Sequence, residues 1–306
     1  MFNSILRKVF YNIQLVRNPI IINAFVFNKD FKVIHKNWGD DLNYYFLAEI
    51  IRRPILIYNL LSLAFRLKLK NYLIIGSTID MLCKENTEVW GAGILHGEQQ
   101  LKVRPTKVYA VRGPLTRKVL LSNNIECPEI YGDPALLLPL VYCPKVEKKF
   151  TFGIIIHDYT IKGVDKLTID GQKVSDRKDI LMIDLSDYLK WTDIIDKILS
   201  CQYILSYSLH GLITAEAYKV PNVWIEFDEH LYGGHFKFHD FFLSLGHDRT
   251  NPVPISENNI QSILIQQALS KWEPSNINVT PLIKACPFDL CFKQIYTYES
   301  NTLLYY

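Results

Sequence analysis

The sequence predicts an α/β protein built from two Rossmann-like domains that face each other across a cleft. Short β-rich apolar runs alternate with helical patterns, which is typical of parallel sheets with crossover helices. The alternation restarts after residues 139–149, where two prolines and a charge cluster are typical of a linker. The 306 residues suffice for two domains, expected at residues 1–143 and 150–306, with the last helix packed back on the first domain.

In the first domain, strands are expected at residues 72–75, 88–90 and 107–111. Each run is short and apolar, and glycine follows it at once or one residue later. Ser77 is expected to cap a short helix, and Asp40 or Asp41 a helix at residues 42–51. A further helix is expected at residues 114–122, because Pro114 suits a first turn and two asparagines follow.

In the second domain, the same alternation predicts strands at residues 152–156, 180–183, 203–205 and 222–225. Helical patterns at residues 191–199 and 211–218 lie between these runs. The order of elements therefore predicts a second parallel sheet.

Composition and charge exclude several classes of protein. The chain has 34 Lys and Arg against 31 Asp and Glu, is 49% apolar and 21% charged, and so is neither disordered, collagen-like nor a bulk nucleic-acid binder. Residues 1–150 hold 21 basic and 12 acidic side chains, a balance of +9, whereas residues 151–306 hold 13 and 19, a balance of −6. No membrane-span-like run, signal-peptide pattern or CxxC spacing occurs, which predicts a cytoplasmic protein with reduced thiols.

The first 17 residues show a helical pattern with one apolar face. That face comprises Phe2, Ile5, Leu6, Val9, Phe10, Ile13 and Val16, with Arg7, Lys8 and Arg17 away from it. Such a helix either packs on its domain, which is the commoner arrangement, or lies on an anionic membrane. A second basic and apolar stretch at residues 51–70 adds weight to contact with the inner face of the plasma membrane.

His210 lies in a turn between a buried strand and a helix opened by Gly211. Ligands of open α/β sheets bind at this end of a strand, and the amino end of a helix favours a phosphate or carboxylate. A histidine here can donate a proton at neutral pH. The alternative is a hydrogen-bonded structural histidine, and the strand–turn–helix placement favours the functional role.

Arg112 ends the strand predicted at residues 107–111 and precedes a helix. A guanidinium group binds phosphate or carboxylate through paired hydrogen bonds, and a cation without an anion is unfavourable near a helix start. We therefore expect Arg112 to bind an anionic ligand rather than to be an ordinary surface arginine.

Other strand ends supply further candidates. One of the two aspartates at positions 40 and 41 suffices as a helix cap, so the other could serve as a general base. The spacing at residues 91–97 is one residue off the dinucleotide fingerprint, and its glycines are more typical of close approach by backbone or ligand. Further binding-site candidates at these strand ends are Asn37, Trp38, Gly76, Ser77 and His96, and Glu98 is a candidate base.

A group of histidines follows residue 229. His235 and His239 have the i, i+4 spacing of a helical metal site, but no HExxH motif is present and two glycines interrupt the segment, so no metal is expected. Lys237, between them, is instead a candidate cation for an anionic ligand.

Five ordered stretches resemble the polysaccharide pyruvyl transferase family. They are NWGDDLN at residues 37–43, VWGAG at 89–93, VRGPLTR at 111–117, YGDPA at 131–135, and SLHG at 208–211 with its AEA and proline tail. They keep the family's order over about residues 36–245. Several members carry Arg-Leu-His where this chain has Ser208-Leu209-His210. Members of the exopolysaccharide and capsule type resemble this chain more closely than those members do.

The resemblance implies a two-domain fold like that of GT-B glycosyltransferases. It also implies phosphoenolpyruvate as donor and a sugar diol as acceptor, joined as a cyclic pyruvate ketal with release of phosphate and without a metal or other cofactor. Donor contacts would come from Arg112, Ser208 and Gly211, with Lys237 or Arg249 supplying the cation that Ser208 replaces. His210 would protonate the enol carbon, and Asp40, Asp41 or Glu98 would act as base.

Two alternatives stay open. The segment after His210 also resembles the donor-phosphate motif of GT-B enzymes, which favours a nucleotide-sugar glycosyltransferase. The departure at Ser208 motivates a non-catalytic sugar-binding subunit of a polysaccharide assembly complex. A polyprenyl-diphosphate-linked acceptor would suit the basic half of the chain, facing an anionic bilayer.

Overall fold

A computed structural model describes residues 2–61, 64, 66–97, 100–156, 164–227, 234–247 and 249–293. The strands are β1 Ile20–Ile22, β2 Asn28–Lys29, β3 Lys32–Val33, β4 Ile55–Ile57, β5 Asn71–Leu73, β6 Thr87–Trp90, β7 Lys107–Ala110, β8 Phe150–Ile156, β9 Thr168–Ile169, β10 Gln172–Lys173, β11 Ile180–Asp184, β12 Cys201–Ser206, β13 Asn222–Phe227, β14 Val253–Ile255 and β15 Asn259–Ile260. The α-helices are α1 Phe2–Ile13, α2 Trp38–Asp41, α3 Tyr45–Ile50, α4 Ile79–Leu82, α5 Pro114–Ser122, α6 Asp193–Leu199, α7 Leu209–Ala217, α8 Phe236–Ser244, α9 Ser262–Ser270 and α10 Thr280–Lys284. Short 3₁₀ helices cover Gln14–Arg17, Tyr58–Leu60, Pro134–Leu140, Val164–Lys166 and Val174–Asp176.

Two five-stranded sheets form the framework, and both are entirely parallel. Their strand orders are β4-β1-β5-β6-β7 and β11-β8-β12-β13-β14. In each sheet the first strand along the chain lies between the second and the third, which is the doubly wound order 2-1-3-4-5. The predicted α/β class with parallel Rossmann-like sheets is confirmed.

Strands β1 and β4 were not expected from the sequence. Ile20 and Ile22 are fully buried, and the three residues of β4 are at most 8% exposed. Part of the stretch at residues 51–70 is therefore a buried strand and not a membrane-facing surface. The flanking Arg52 and Arg53 gave this run its basic character and obscured the strand between them and Tyr58.

The N-terminal part (residues 1–143) and the C-terminal part (residues 150–306) share buried surface. The largest buried cluster contains side chains from both parts, and α7 packs against the 3₁₀ helix Pro134–Leu140, in which Leu136, Leu137 and Leu138 are buried. The segment expected to be a linker, residues 139–149, contains the buried residues Val141 and Tyr142. Near the end of the described chain, the Leu282 carbonyl accepts a hydrogen bond from Trp90 Nε1 at 2.9 Å, which holds α10 on the N-terminal part.

Within the described residues, no helix is long and apolar enough to cross a lipid bilayer. All six cysteines are free thiols.

Candidate active site

The candidate residues meet at the carboxyl ends of the two large sheets. Residues 37–41, 76–77 and 112 lie in segments that follow β1, β5 and β7, and residues 208–211 follow β12. His210 joins the two parts, because a Cβ atom on Gly39 would lie 2.0 Å from its Nδ1 atom. The imidazole therefore lies directly against α2, at the edge where ligands of open α/β sheets bind.

Asn37 sets the start of α2 and the position of Asp40. Its backbone is extended, and its side-chain oxygen accepts a hydrogen bond from the Gly39 N–H at 3.2 Å. Its amide nitrogen donates to Asp40 Oδ2 at 2.6 Å. The prediction that Asp40 or Asp41 caps a helix at residues 42–51 is wrong. Both aspartates lie inside the short helix α2, and Asn37 fills the cap position of α2.

Asp40 is the more accessible of the two aspartates of α2. It is partly accessible, and its Oδ1 atom lies 3.6 Å from where a Cβ on Gly76 would stand. Burial, reinforced by the charge of Asp41, raises the pKa of Asp40 to about 7, and Lys237 and the Asn37 hydrogen bond oppose that rise. A carboxyl group with a pKa near neutrality both accepts and releases protons readily, so Asp40 is suited to general-base chemistry.

Asp41 is buried and connects the two parts. Its Oδ2 atom accepts a hydrogen bond from the Tyr188 hydroxyl at 2.5 Å, and burial raises its pKa to about 6 despite that bond. Tyr188 stacks on His35 at 4.1 Å between ring centroids, and the Tyr188 carbonyl is 2.8 Å from His35 Nδ1. Because its accepting oxygen is engaged by a tyrosine of the other part, Asp41 is a positioning residue.

Lys237 is the cation that α8 directs towards this site. It lies three residues before Asp240, so the two side chains share a helix face. The Asp240 carboxylate accepts from Arg112 Nε at 3.1 Å and from the Thr116 backbone N–H at 2.8 Å, which fixes that face against the N-terminal part. Burial and the Arg112 charge lower the pKa of Lys237 to about 8, and Asp40 opposes this. Lys237 thus lies within the electrostatic reach of both Arg112 and Asp40.

Arg112 is enclosed by protein partners. It is fully buried, and it donates hydrogen bonds to Asp240, to the Ser77 hydroxyl and, at 2.9 Å, to the Ile94 carbonyl. Its guanidinium lies flat over Gly93, where a Cβ would come within 2.3 Å of Cζ. Ser77 therefore binds Arg112 and does not cap α4, whose cap position is Thr78.

The turn that presents His210 is held by two serines. Ser206 Oγ accepts from the Ser208 N–H at 3.1 Å and donates to the Ser208 carbonyl at 2.8 Å. Gly211 is required because a Cβ there would lie 2.4 Å from Ser206 Oγ. The helix α7 begins at Leu209, two residues before the expected start, and no side-chain cap closes its amino end at Ser208. Backbone N–H groups at the amino end of a helix favour an anion.

Arg249 does not lie with these residues. It binds Glu216 Oε1 at 2.5 Å and Asn222 Oδ1 at 2.7 Å, at the carboxyl end of α7, whereas His210 is at the amino end. Glu216 is fully buried and also accepts from Trp272 Nε1 at 3.0 Å. Arg249 is engaged by this buried ion pair, on the wall of a separate cavity of about 500 Å³.

Three other candidates have different placements. Trp38 is fully buried and donates from Nε1 to the Trp191 carbonyl at 2.6 Å, so it joins the two parts and offers no surface to an acceptor. His96 Nδ1 lies 3.2 Å from Asp80 Oδ2 at one side of the site, next to Gly97, which packs against Phe236. Glu98 lies outside the described residues.

Sequence reasoning missed three residues that shape the site. Tyr188 and Asp240 hold Asp41 and Arg112, as described above. Asp133 is fully buried, accepts from the Ala135 N–H at 3.0 Å, and has its pKa raised to about 6 by burial, with the Arg112 charge opposing. Asp133 could have been predicted from the YGDPA stretch that contains it, whereas no motif in the neighbouring sequence indicated Tyr188.

The histidines of α8 have protein partners. His235 Nε2 lies 2.7 Å from Glu226 Oε2, and His239 Nε2 lies 2.9 Å from the Thr250 carbonyl. In the described ranges, no group of three or more His, Cys, Asp or Glu side chains is arranged to hold a metal ion.

Comparisons with known proteins identify the family of the chain. An uncharacterized protein of Acanthamoeba polyphaga mimivirus is 27% identical over 244 residues, which cover 78% of each chain. The family model for polysaccharide pyruvyl transferase matches residues 4–229, a span that includes the segments carrying Asp40, Arg112 and His210. The chain therefore belongs to the polysaccharide pyruvyl transferase family and is a transferase enzyme of polysaccharide biosynthesis.

Proposed function

We propose that the enzyme transfers the enolpyruvyl group of phosphoenolpyruvate to two hydroxyls of a sugar and releases phosphate. The observation that carries this proposal is that His210 lies against Gly39 of α2, while Asp40, the next residue of α2, interacts electrostatically with Lys237 of α8. These residues supply a proton donor, a base and a cation, the three groups that ketal formation from an anionic enol ester requires.

The donor would lie between the amino end of α7 and Lys237. Phosphoenolpyruvate carries a phosphate and a carboxylate, and both favour a helix amino end and a nearby ammonium group. Ser208 and Gly211 form that helix end, and Lys237 takes the place of the arginine found in several family members. Arg112 would contribute its positive charge from its buried position, where it is hydrogen-bonded to Asp240.

The chemistry begins with proton transfer from the His210 imidazole to C3 of the enol, which leaves a cationic centre at C2. Asp40 takes the proton of the first sugar hydroxyl as its oxygen bonds to C2. The C2–O bond to phosphate then breaks, and the leaving phosphate takes that proton from Asp40. The second hydroxyl closes the ring on C2, and the Asp40 carboxylate accepts its proton, which then restores the one that His210 gave to C3. One hydroxyl proton balances the proton gained at C3, and the other leaves with phosphate.

We further propose that the N-terminal and C-terminal parts act as the two domains of a GT-B-like enzyme. The acceptor would be a capsular or exopolysaccharide unit carried on polyprenyl diphosphate, bound against the N-terminal part. The excess of 21 basic over 12 acidic side chains in residues 1–150 supports an acceptor with a diphosphate group.

The test is phosphate release from phosphoenolpyruvate in the presence of galactosides, glucosides and mannosides, with products read by mass spectrometry. Acceptor-dependent release with a pyruvylated product supports the proposal. Thermal stabilisation by a uridine diphosphate sugar, but not by phosphoenolpyruvate, would instead favour glycosyl transfer. Sugar binding without release of phosphate would favour a non-catalytic subunit.

A further inference from the structure

Helix α1 is fixed to the N-terminal part by one side only. Tyr11 is buried, and its hydroxyl accepts a hydrogen bond from the Ile57 N–H at 2.6 Å. Its ring lies 5.4 Å from that of Phe31, and it packs in a small buried cluster with Ile21 and Leu56. The side of α1 opposite Tyr11 is therefore directed away from the protein.

That outer side is apolar and open to solvent. We call it the N-terminal apolar face, and it consists of Ile5, Leu6, Val9, Phe10, Ile13 and Val16, which are 40–83% exposed. These are six of the fourteen large hydrophobic side chains that are exposed among the described residues. Such a contiguous patch on a folded protein marks an interaction surface.

The charges around this face have one sign. At 100° per residue the face covers an arc of about 140°, and Arg7 and Lys8 lie on either side of it. Both are exposed, as is Arg17, and the first acidic residue in the chain is Asp30. Arg53 adds a further basic side chain beside Asn18, because its Nε donates a hydrogen bond to the Asn18 carbonyl at 2.6 Å.

We infer that the N-terminal apolar face docks α1 on the surface of an anionic phospholipid bilayer. An apolar arc bounded by basic side chains matches the boundary between acyl chains and anionic headgroups. A second copy of the chain fits less well, because a symmetric pairing of two such helices would bring Arg7 and Lys8 of each copy together without an acidic neighbour. The inference does not depend on pyruvyl transfer.

The test is flotation of the full chain with vesicles of phosphatidylcholine alone and of phosphatidylcholine mixed with phosphatidylglycerol. We expect binding to the mixed vesicles that weakens with salt, and little binding to the neutral ones. The Phe10→Gln/Ile13→Gln variant should lose roughly tenfold or more in partitioning. The Arg7→Gln/Lys8→Gln variant should lose roughly fivefold for each charge removed.

Ile263→Gln is the matched control, because Ile263 and Ile13 are both 54% exposed but lie on different helices. It should bind vesicles as the unmodified chain does. Unchanged binding by the Phe10→Gln/Ile13→Gln variant, or no binding by the unmodified chain, would overturn the inference. A dimer in light scattering that Ile13→Gln dissociates would also overturn it, in favour of a second copy.

Failure of this surface and failure of the enzymatic proposal are distinguishable. Phosphate release with a water-soluble sugar acceptor should be the same in all four variants and in the unmodified chain. Vesicle binding without phosphate release would support the docking surface and contradict the enzymatic proposal. Phosphate release without vesicle binding would support the enzymatic proposal and contradict the docking surface.

Discussion

Replacing Asp40 with asparagine should stabilise the protein at alkaline pH while abolishing pyruvyl transfer. The pKa of Asp40 rises from 3.8 to about 7 in the folded state, mainly through burial. The folded protein therefore binds a proton more tightly than the unfolded chain, and stability falls as pH rises from about 4 through 7. Above pH 7 the carboxylate carries an unfavourable free energy of at most about 4 kcal/mol.

We expect about half of this unfavourable free energy to be present in the folded protein. Asp40 is partly accessible, so water and salt screen its charge. Lys237, with its pKa near 8, is largely neutral at alkaline pH and then offers little attraction that the substitution would remove. We expect Asp40→Asn to raise the free energy of unfolding by about 2 kcal/mol at pH near 8.5, and by clearly less near pH 5.

The assay is urea unfolding at both pH values, paired with phosphate release at neutral pH. Asp187→Asn is the control, because the side chain of Asp187 is 83% exposed and its nearest cation, Lys197, is 3.6 Å away. That variant should change stability little at either pH. A gain for Asp40→Asn that does not depend on pH, or a loss at alkaline pH, would refute the assignment of a buried charge. Retained turnover would remove Asp40 as the base.

The remaining predictions test the other groups of the site. His210→Ala should abolish phosphate release while phosphoenolpyruvate still raises the melting temperature, and near-normal turnover would exclude His210 as the proton donor. Lys237→Met should weaken donor binding by roughly 10- to 100-fold in a titration, because a charge-assisted hydrogen bond is lost, whereas the exposed Lys173→Met should not. Gly39→Ala should lower kcat at least roughly 100-fold by displacing the imidazole, and it should destabilise the His210→Ala protein much less than the unmodified one. Arg249→Met should lower the free energy of unfolding by about 3 kcal/mol, because Glu216 is left charged and buried, but should leave donor affinity unchanged in the folded fraction; a selective loss of donor affinity would return Arg249 to the site.

Much of the framework was predictable because each run of the sequence matched one structural period. The helix expected at residues 114–122 has those bounds in the structure, and the strands at residues 88–90 and 180–183 differ by one residue. The strand β1 was missed because the three isoleucines between Pro19 and Asn23 form a very short run that does not alternate with polar residues. The strand β4 was missed because the adjacent arginines dominated the pattern.

The side-chain partners were less predictable, because they depend on which strand ends meet. Lys237 and Arg249 were equivalent from the sequence as substitutes for a missing arginine. Only the fold separates them, since α8 brings Lys237 to Arg112 while Glu216 binds Arg249 at the far end of α7. Trp38 was expected at the acceptor because it lies in a site motif, but its buried N–H needed an acceptor and found the Trp191 carbonyl.

The placement of α2 explains why acid and base can act on one substrate. Trp38 and Asp41 bind the C-terminal part through Trp191 and Tyr188, and between them Gly39 leaves room for the His210 ring. Asp40, the remaining residue of α2, directly follows Gly39, the residue against which that ring packs. The same four residues thus bind the two parts together and set the distance between the proposed proton donor and base. A substitution that loosens this contact, such as Tyr188→Phe, should therefore lower kcat together with the free energy of unfolding, and a loss of stability with unchanged kcat would separate the two roles.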